Sequence, residues 1–135
     1  MADVVVVDDD ESIAEAVADM LSLDGHAVRI AENGEKGLQL LSDRLPDLIV
    51  LDVEMPVLTG PEMAHRILIA DAGRERIPIV LLSGAAELRR IAALVGTPYS
   101  LPKPCELDTF LEVVARALQE RIAPSPSERA GRSVS

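Results

Sequence analysis

Residues 47–52, Asp47-Leu48-Ile49-Val50-Leu51-Asp52, set a run of apolar residues between two acids. Val4 to Val7 ends in the same abrupt way against Asp8-Asp9-Asp10, and residues 77–83, Ile77-Pro78-Ile79-Val80-Leu81-Leu82-Ser83, repeat the form. Short runs that are apolar without alternation suit strands buried on both faces, as in a parallel sheet covered by helices. The helices are written between them. Ile13, Val17, Met20 and Leu21 recur at helical spacing behind Asp10, Glu11 and Ser12, which can cap the start, and Gly25 stands where a helix would end, so the first helix is expected at about 11–24.

His26 to Ala31 reads as a weaker, more polar second strand, followed by Asn33-Gly34 and a helix through Leu38, Leu40 and Leu41 that stops before Pro46. A third helix starts at Gly60-Pro61, with proline at a favoured first position, and runs through Met63, Ile67 and Leu68 to Gly73. Glu87 to Val95 makes a short fourth, Tyr99 to Leu101 a brief fifth strand. Leu107, Phe110, Leu111, Val114 and Leu118 stripe the last helix. Five alternations of strand and helix imply a doubly wound α/β sandwich around a parallel sheet, because parallel strands need crossovers and these are right-handed. From Ala123 onward Pro, Ser, Gly and Arg replace the periodicity, so the expected organisation is one domain over 1–122 and a disordered tail over 123–135.

At 135 residues the chain is the size of one ordinary domain. Phe110 and Tyr99 are its only large rings, so the core is built from Leu, Ile, Val, Ala and Met. The same scarcity argues against single-stranded nucleic-acid binding, which relies on stacked rings, and a formal charge of −10 repels a phosphate backbone. No apolar run approaches a membrane span, and the start MADVVVVDDD has neither the basic flank nor the length of a secretory signal, which places the protein in the cytoplasm. Cys105 has no second thiol to pair with and reads as a half-buried small apolar residue; His26 and His65 fit no metal spacing and read as surface or strand-edge residues.

In an open parallel sheet, ligands sit beyond the carboxyl ends of the strands, where the strand order reverses. Strands one and three both end there in carboxylates, Asp8-Asp9 and Asp52, which become neighbours if strand one is central and strand three lies beside it. Clustered like charges raise one another's pKa, so such a group usually exists to hold a cation. Oxygen ligands favour Mg²⁺, which takes one or two carboxylates and keeps several waters. Strand four ends in Ser83-Gly84, a hydroxyl with unhindered backbone after it, and strand five ends in Lys103. A lysine a few ångströms from a carboxylate gains about 4 kcal/mol of Coulomb attraction at an effective dielectric near 20, and can carry it over to a transferred phosphoryl oxygen. Acid, hydroxyl, amine and metal together make an in-line phosphoryl-transfer site. Taken singly, an acidic run is more often a helix cap, and Ser83 and Lys103 are a turn residue and a solvated lysine.

The segments VVVVDDD, LIVLDVEMPVLTG, IVLLSG and LPKP resemble the receiver domain of two-component response regulators over residues 3–122. That resemblance implies the flavodoxin-like five-stranded sheet in the order 2-1-3-4-5. It makes Asp52 the phosphoacceptor for a histidine kinase or phosphotransfer protein, and Asp8 and Asp9 the acidic pair, with Asp9 the direct Mg²⁺ ligand unless Asp10 substitutes for it. It further makes the Glu54 backbone carbonyl a metal ligand, Ser83 the hydroxyl that turns to the phosphoryl group, Lys103 its ion-pair partner, and Lys103-Pro104 a cis peptide. Met55-Pro56 and Gly60 match the loop after the acceptor.

Three departures stand out. Ser100 occupies the place, three residues before the lysine, where receivers carry a Tyr or Phe rotamer switch, and Tyr99 is one residue earlier. A one-residue shift in a strand turns a side chain to the other face, so either a bulge restores Tyr99 to the switch position or the output uses no aromatic flip. Cys105 stands where many receivers have Phe, and the stretch from Ser83 to Lys103 is short, as for a trimmed fourth helix. Apart from these, Glu54 and Ala85 stand where, by the resemblance, side chains tune dephosphorylation.

The expectation is a stand-alone receiver that catalyses its own phosphorylation and dephosphorylation. It signals to an unknown downstream protein through the face around helix four, strand five and helix five, as a monomer or a phosphorylation-dependent dimer, with Arg89 and Arg90 available for a contact. Two competitors are a pseudo-receiver that binds protein without phosphorylation and a small Mg²⁺-dependent phosphohydrolase. The hydrolase needs an acid two residues after Asp52, which Glu54 supplies, but also a cap and a longer chain.

Overall fold

Each unbroken apolar run is a strand, and each periodic stretch between them is a helix. The computed structural model describes residues 2–52, 60–84 and 88–125. In chain order the elements are β1 (Asp3–Val7), α1 (Glu11–Leu23), β2 (Ala27–Ala31), α2 (Gly34–Asp43), β3 (Leu48–Asp52), α3 (Gly60–Arg74), β4 (Ile79–Ser83), α4 (Leu88–Val95), β5 (Tyr99–Pro102) and α5 (Leu107–Glu120). The strands form one sheet, β2-β1-β3-β4-β5, parallel at every pairing, as the alternation of elements requires.

Side chains alternate across a strand, so each central run feeds two cores at once. Val4, Val6, Leu48, Val50, Val80 and Leu82 pack with Ala14, Val17 and Leu21 of α1 and Phe110, Val114 and Ala117 of α5. Val5, Val7, Ile49, Leu51, Ile79 and Leu81 pack with Leu41, Leu68, Ile69, Ala72, Ile91 and Val95 from α2, α3 and α4. Full burial of one such side chain stabilises by about 1.5–3 kcal/mol, which is why acid is absent from the runs and appears only at their ends. Both large rings, Tyr99 and Phe110, lie in the first of these cores.

Local chemistry sets the boundaries. The Asp10 carboxylate caps α1 by accepting from the Ile13 N–H at 3.1 Å, and Asn33 caps α2 through the Lys36 N–H at 2.8 Å. Gly25, at φ +88, ends α1 in a conformation that a residue with a Cβ adopts at a cost. α2 lies so close to α3 that a Cβ on Gly34 would come within 2.7 Å of the His65 backbone nitrogen. At the amino end of the sheet, Arg29 from the edge strand caps α2, donating to the Leu40 and Arg44 carbonyls at 3.0 and 2.9 Å, and pairs with Asp3 at 3.3 Å. His26 is a pin at this end: its Nδ1 accepts from the Ala2 N–H at 3.2 Å and its Nε2 lies 3.3 Å from Asp24.

The chain does not leave the domain where its periodicity stops. Arg121 turns left-handed at φ 56 and its N–H closes on the Ala117 carbonyl at 2.8 Å, ending α5. Pro124 is buried, and the Ser125 N–H donates to the Gly96 carbonyl at 2.9 Å. Ala123 to Ser125, read from composition as the start of the tail, thus lie against the domain, while residues 126–135 fall outside the described residues.

Candidate functional site

The sheet order puts β1 between β2 and β3, so Asp8, just past β1, and Asp52, the last residue of β3, come together at the carboxyl edge. β4 and β5 bring Ser83 and Lys103 to the same edge, where the Lys103 N–H donates to the Ser83 carbonyl at 3.0 Å. The Lys103 Nζ donates to Asp52 Oδ2 at 2.7 Å. The Asp52 side chain is 4% exposed and that of Lys103 20%, so the pair is sheltered from solvent screening far more than a surface ion pair. The lysine stem runs beside Gly84, where an added Cβ would lie 3.7 Å from Lys103 Cε. Lys103-Pro104 is cis.

Asp8 is 2% exposed. Its Oδ1 accepts from the Asp10 N–H at 2.9 Å, but Asp8 Oδ2 and Asp52 Oδ1 are buried with no hydrogen-bond partner among the described residues. Buried polar atoms are rarely left in that state, so the two oxygens mark a place built for something that satisfies them. A proton is one solution. Burial, then hydrogen bonding to the Asp52 carboxyl and the charge of Asp52, lift the Asp8 carboxyl from its ordinary 3.8 to about 7, against the opposing pull of the Asp10 N–H and Lys103. A divalent cation is the other solution, since it would satisfy both oxygens without protonation.

The remaining expected ligands divide. Asp9 is exposed and lines, with Asp8, Glu11, Glu32 and Lys36, a groove of about 330 Å³ that opens the acidic pair toward the β2 side. Asp10 is committed to capping α1, which separates its role from that of Asp9. Glu54, Met55-Pro56 and Ala85 lie outside the described residues. Among the described residues no group of three or more His, Cys, Asp or Glu side chains is arranged to hold a metal. Mg²⁺ asks less than that, because one or two carboxylates with waters and phosphate oxygens complete its shell.

A family model described as the response regulator receiver domain matches residues 4–115. The chain belongs to that family. Response regulator MprA of Mycobacterium sp. (strain KMS) is 35% identical over 123 residues, 90% of this chain and 52% of that protein. MprA of Mycobacterium avium (strain 104) is 34% identical over the same shares. The chain therefore spans about half the length of the curated relatives it matches. Among solved structures, the receiver domain of NtrX from Brucella abortus superposes with a TM-score of 0.71 at 30% identity, covering 86% of this chain and 98% of that one. Chemotaxis protein CheY4 of Vibrio cholerae gives 0.71 at 31% identity with the same coverage.

Within this receiver the position of Tyr99 is decided by register. β5 pairs with β4 without a bulge, Val80 with Tyr99, Leu81 with Ser100 and Leu82 with Leu101, so Tyr99 faces the α1 and α5 core and is fully buried. Its hydroxyl donates to Glu120 Oε1 at 2.9 Å and accepts from the Ile122 N–H at 3.4 Å, and Arg116 lies 5.4 Å over its ring. Burial and the Glu120 carboxylate hold the phenol above its usual range. Tyr99 is thus a fastener for the end of α5, and Ser100 alone occupies the place of the aromatic switch. Tyr99→Phe is expected to cost about 1 kcal/mol in urea unfolding, the worth of an ordinary hydrogen bond, and to leave phosphoryl uptake unchanged. Cys105 is half-buried against the same core, its thiol pKa raised by that burial, in keeping with a packing role.

Proposed function

We propose that this receiver takes a phosphoryl group on Asp52 from a histidine kinase or a phosphotransfer protein. The observation that carries the reading is the Asp52 carboxyl itself: nearly buried, one oxygen on Lys103 at 2.7 Å, the other unpartnered beside Asp8. In the reaction an Asp52 oxygen forms the new O–P bond as the donor's N–P bond breaks. The electron pair returns to the imidazole nitrogen, which picks up a proton. Lys103 shifts its charge to a phosphoryl oxygen, and the Ser83 hydroxyl donates to another. Asp8, Asp9, Asp52 and the Glu54 carbonyl are the residues that would hold Mg²⁺. When bound, Mg²⁺ neutralises charge on the phosphoryl oxygens.

The phosphorylated receiver signals to a downstream protein through α4, β5 and α5, with Arg89 and Arg90 exposed on α4. Among the described residues no helix is long and apolar enough to cross a membrane, and we place the reaction in the cytoplasm. The test is incubation with an acyl phosphate and Mg²⁺, followed by intact-mass measurement. A persistent gain of one phosphoryl group, absent when EDTA replaces Mg²⁺, is expected. No gain favours the pseudo-receiver, and rapid release of inorganic phosphate over many turnovers favours the phosphohydrolase.

A further inference from the structure

The segment that follows α5 is held at four places by elements far apart in sequence. The Arg121 guanidinium lies 3.7 Å from Asp47, at the entry to β3. The Ile122 N–H reaches the Tyr99 hydroxyl of β5 at 3.4 Å. Pro124 is buried, its carbonyl 2.8 Å from where a Cβ of Gly73, near the end of α3, would stand. The Ser125 N–H bonds the Gly96 carbonyl, one residue past α4, at 2.9 Å. Gly96 has φ +75, and a Cβ there would run into the Ser125 backbone oxygen. The absence of a side chain at both glycines is what lets the segment lie so close. Residues 121–125 therefore cross from α5, under β5, to the carboxyl end of α4.

α4 thus has two attachments. Its first residue, Leu88, comes four positions after Gly84 at the phosphoacceptor site, and its other end is tied to Ser125 through Gly96. The helix has 8 residues and so is about 12 Å long, with Ile91 and Val95 seated in the core and Leu88 and Ala92 packed against it, which leaves its two ends as the places where a shift would be felt. We propose that residues 121–125 are a strap that restrains α4 in the unphosphorylated position, so that phosphoryl uptake at Asp52, drawing Ser83 and Gly84 inward, breaks the Ser125–Gly96 bond and releases the chain from Pro124 onward. Arg121 and Ile122 are fastened to Asp47, at the entry to β3, and to Tyr99 of β5, apart from α4, and act as the hinge. The inference rests on the phosphoacceptor reading of the same site.

Linkage makes the coupling reciprocal: if the phosphoryl state opens the strap, an open strap favours the phosphoryl state. The test uses the full chain with beryllium fluoride and Mg²⁺ as a phosphoryl mimic, adduct formation being read by fluorine NMR and amide exchange by proton–nitrogen NMR. The Ser125 amide is expected to exchange at least about fivefold faster in the adduct, the low end of ordinary site-to-site coupling, while the Ile122 amide is unchanged. Ser125→Pro, which removes the N–H that bonds Gly96 and sets a ring against that glycine, is expected to open the strap and tighten beryllium fluoride binding by about the same factor. If the adduct forms and neither Ser125 exchange nor the Ser125→Pro affinity changes, the strap is a static support and this inference alone is overturned. If no adduct forms, the phosphoacceptor reading falls and the strap with it.

Discussion

Asp52→Asn is expected to abolish phosphoryl uptake from an acyl phosphate completely while making the metal-free fold more stable by about 2 kcal/mol at pH 8. The first half follows because an amide oxygen is too weak a nucleophile to replace the carboxylate that pairs with Lys103. The second half follows from the two orphaned oxygens. An amide at position 52 puts an N–H donor where Asp52 Oδ1 now lies, facing Asp8 Oδ2, keeps an oxygen to accept from Lys103, and removes one of two facing negative charges.

The pH dependence gives this prediction its sign. The Asp8 carboxyl holds its proton to about pH 7 in the folded chain but releases it near its ordinary 3.8 when unfolded. Between those values the native state binds the extra proton, so stability falls as pH rises through the window and levels off above it. The span is roughly three pH units at about 1.4 kcal/mol each, so wild type in EDTA is expected to lose up to about 4 kcal/mol between pH 4 and pH 8. Burial, the largest cause, persists in Asp52→Asn, but the hydrogen bond and charge of the Asp52 carboxylate do not, so the decline shrinks without vanishing. Urea titrations at several pH values in EDTA measure it. An Asp52→Asn curve that tracks wild type at every pH would mean that the two carboxyls are not in conflict.

What the sequence discloses about this fold is whatever depends on pattern and on strand ends. Val4–Val7 and Leu48–Leu51 are apolar at every position because each residue faces one of two cores, and that alone carries the parallel sheet. Asp8, Asp52, Ser83 and Lys103 are legible as a set because the fold class fixes which end of a strand meets ligand, so their convergence needs no knowledge of side-chain geometry. Distinguishing Asp10 from Asp9 is different. Both sit in one acidic run, and only the backbone turn that points Asp10 Oδ1 at the Ile13 N–H separates capping acid from groove acid.

The fastenings at the amino end of the sheet were hidden for a related reason. Tyr99 bonds Glu120 and Ile122 across more than twenty residues, and Arg29 caps a helix that begins after its own strand ends. No local periodicity records such contacts. The Pro- and Ser-rich composition after Ala123 records only that helical pattern has stopped. It says nothing of a segment held by backbone hydrogen bonds and by room left at Gly73 and Gly96, since those determinants lie elsewhere in the chain. Register, by contrast, needed only the absence of a bulge in β5 to assign Tyr99 to the core and Ser100 to the opposite face.

Lys103→Met tests the cationic side of the site. Methionine keeps an unbranched stem to lie beside Gly84 but removes the ammonium bonded to Asp52, so packing is largely preserved and charge is not. The initial rate of phosphoryl uptake is expected to fall about 10²–10³-fold, the usual loss when one preorganised charge donor is deleted. The same substitution works on Asp8 in the opposite sense to Asp52→Asn. Lys103 is one of the two influences that pull the Asp8 pKa down, so without it the Asp8 proton is held to still higher pH and the decline of stability in EDTA extends above pH 7. Lys103→Arg separates the two effects: a guanidinium restores positive charge and hence the stability limb, yet its planar fork does not reproduce the compact ammonium, so uptake stays slow. Intact-mass time courses and urea titrations on the same three proteins decide the matter. Uptake at the wild-type rate in Lys103→Met would show that the 2.7 Å pair with Asp52 serves the fold and not phosphoryl transfer.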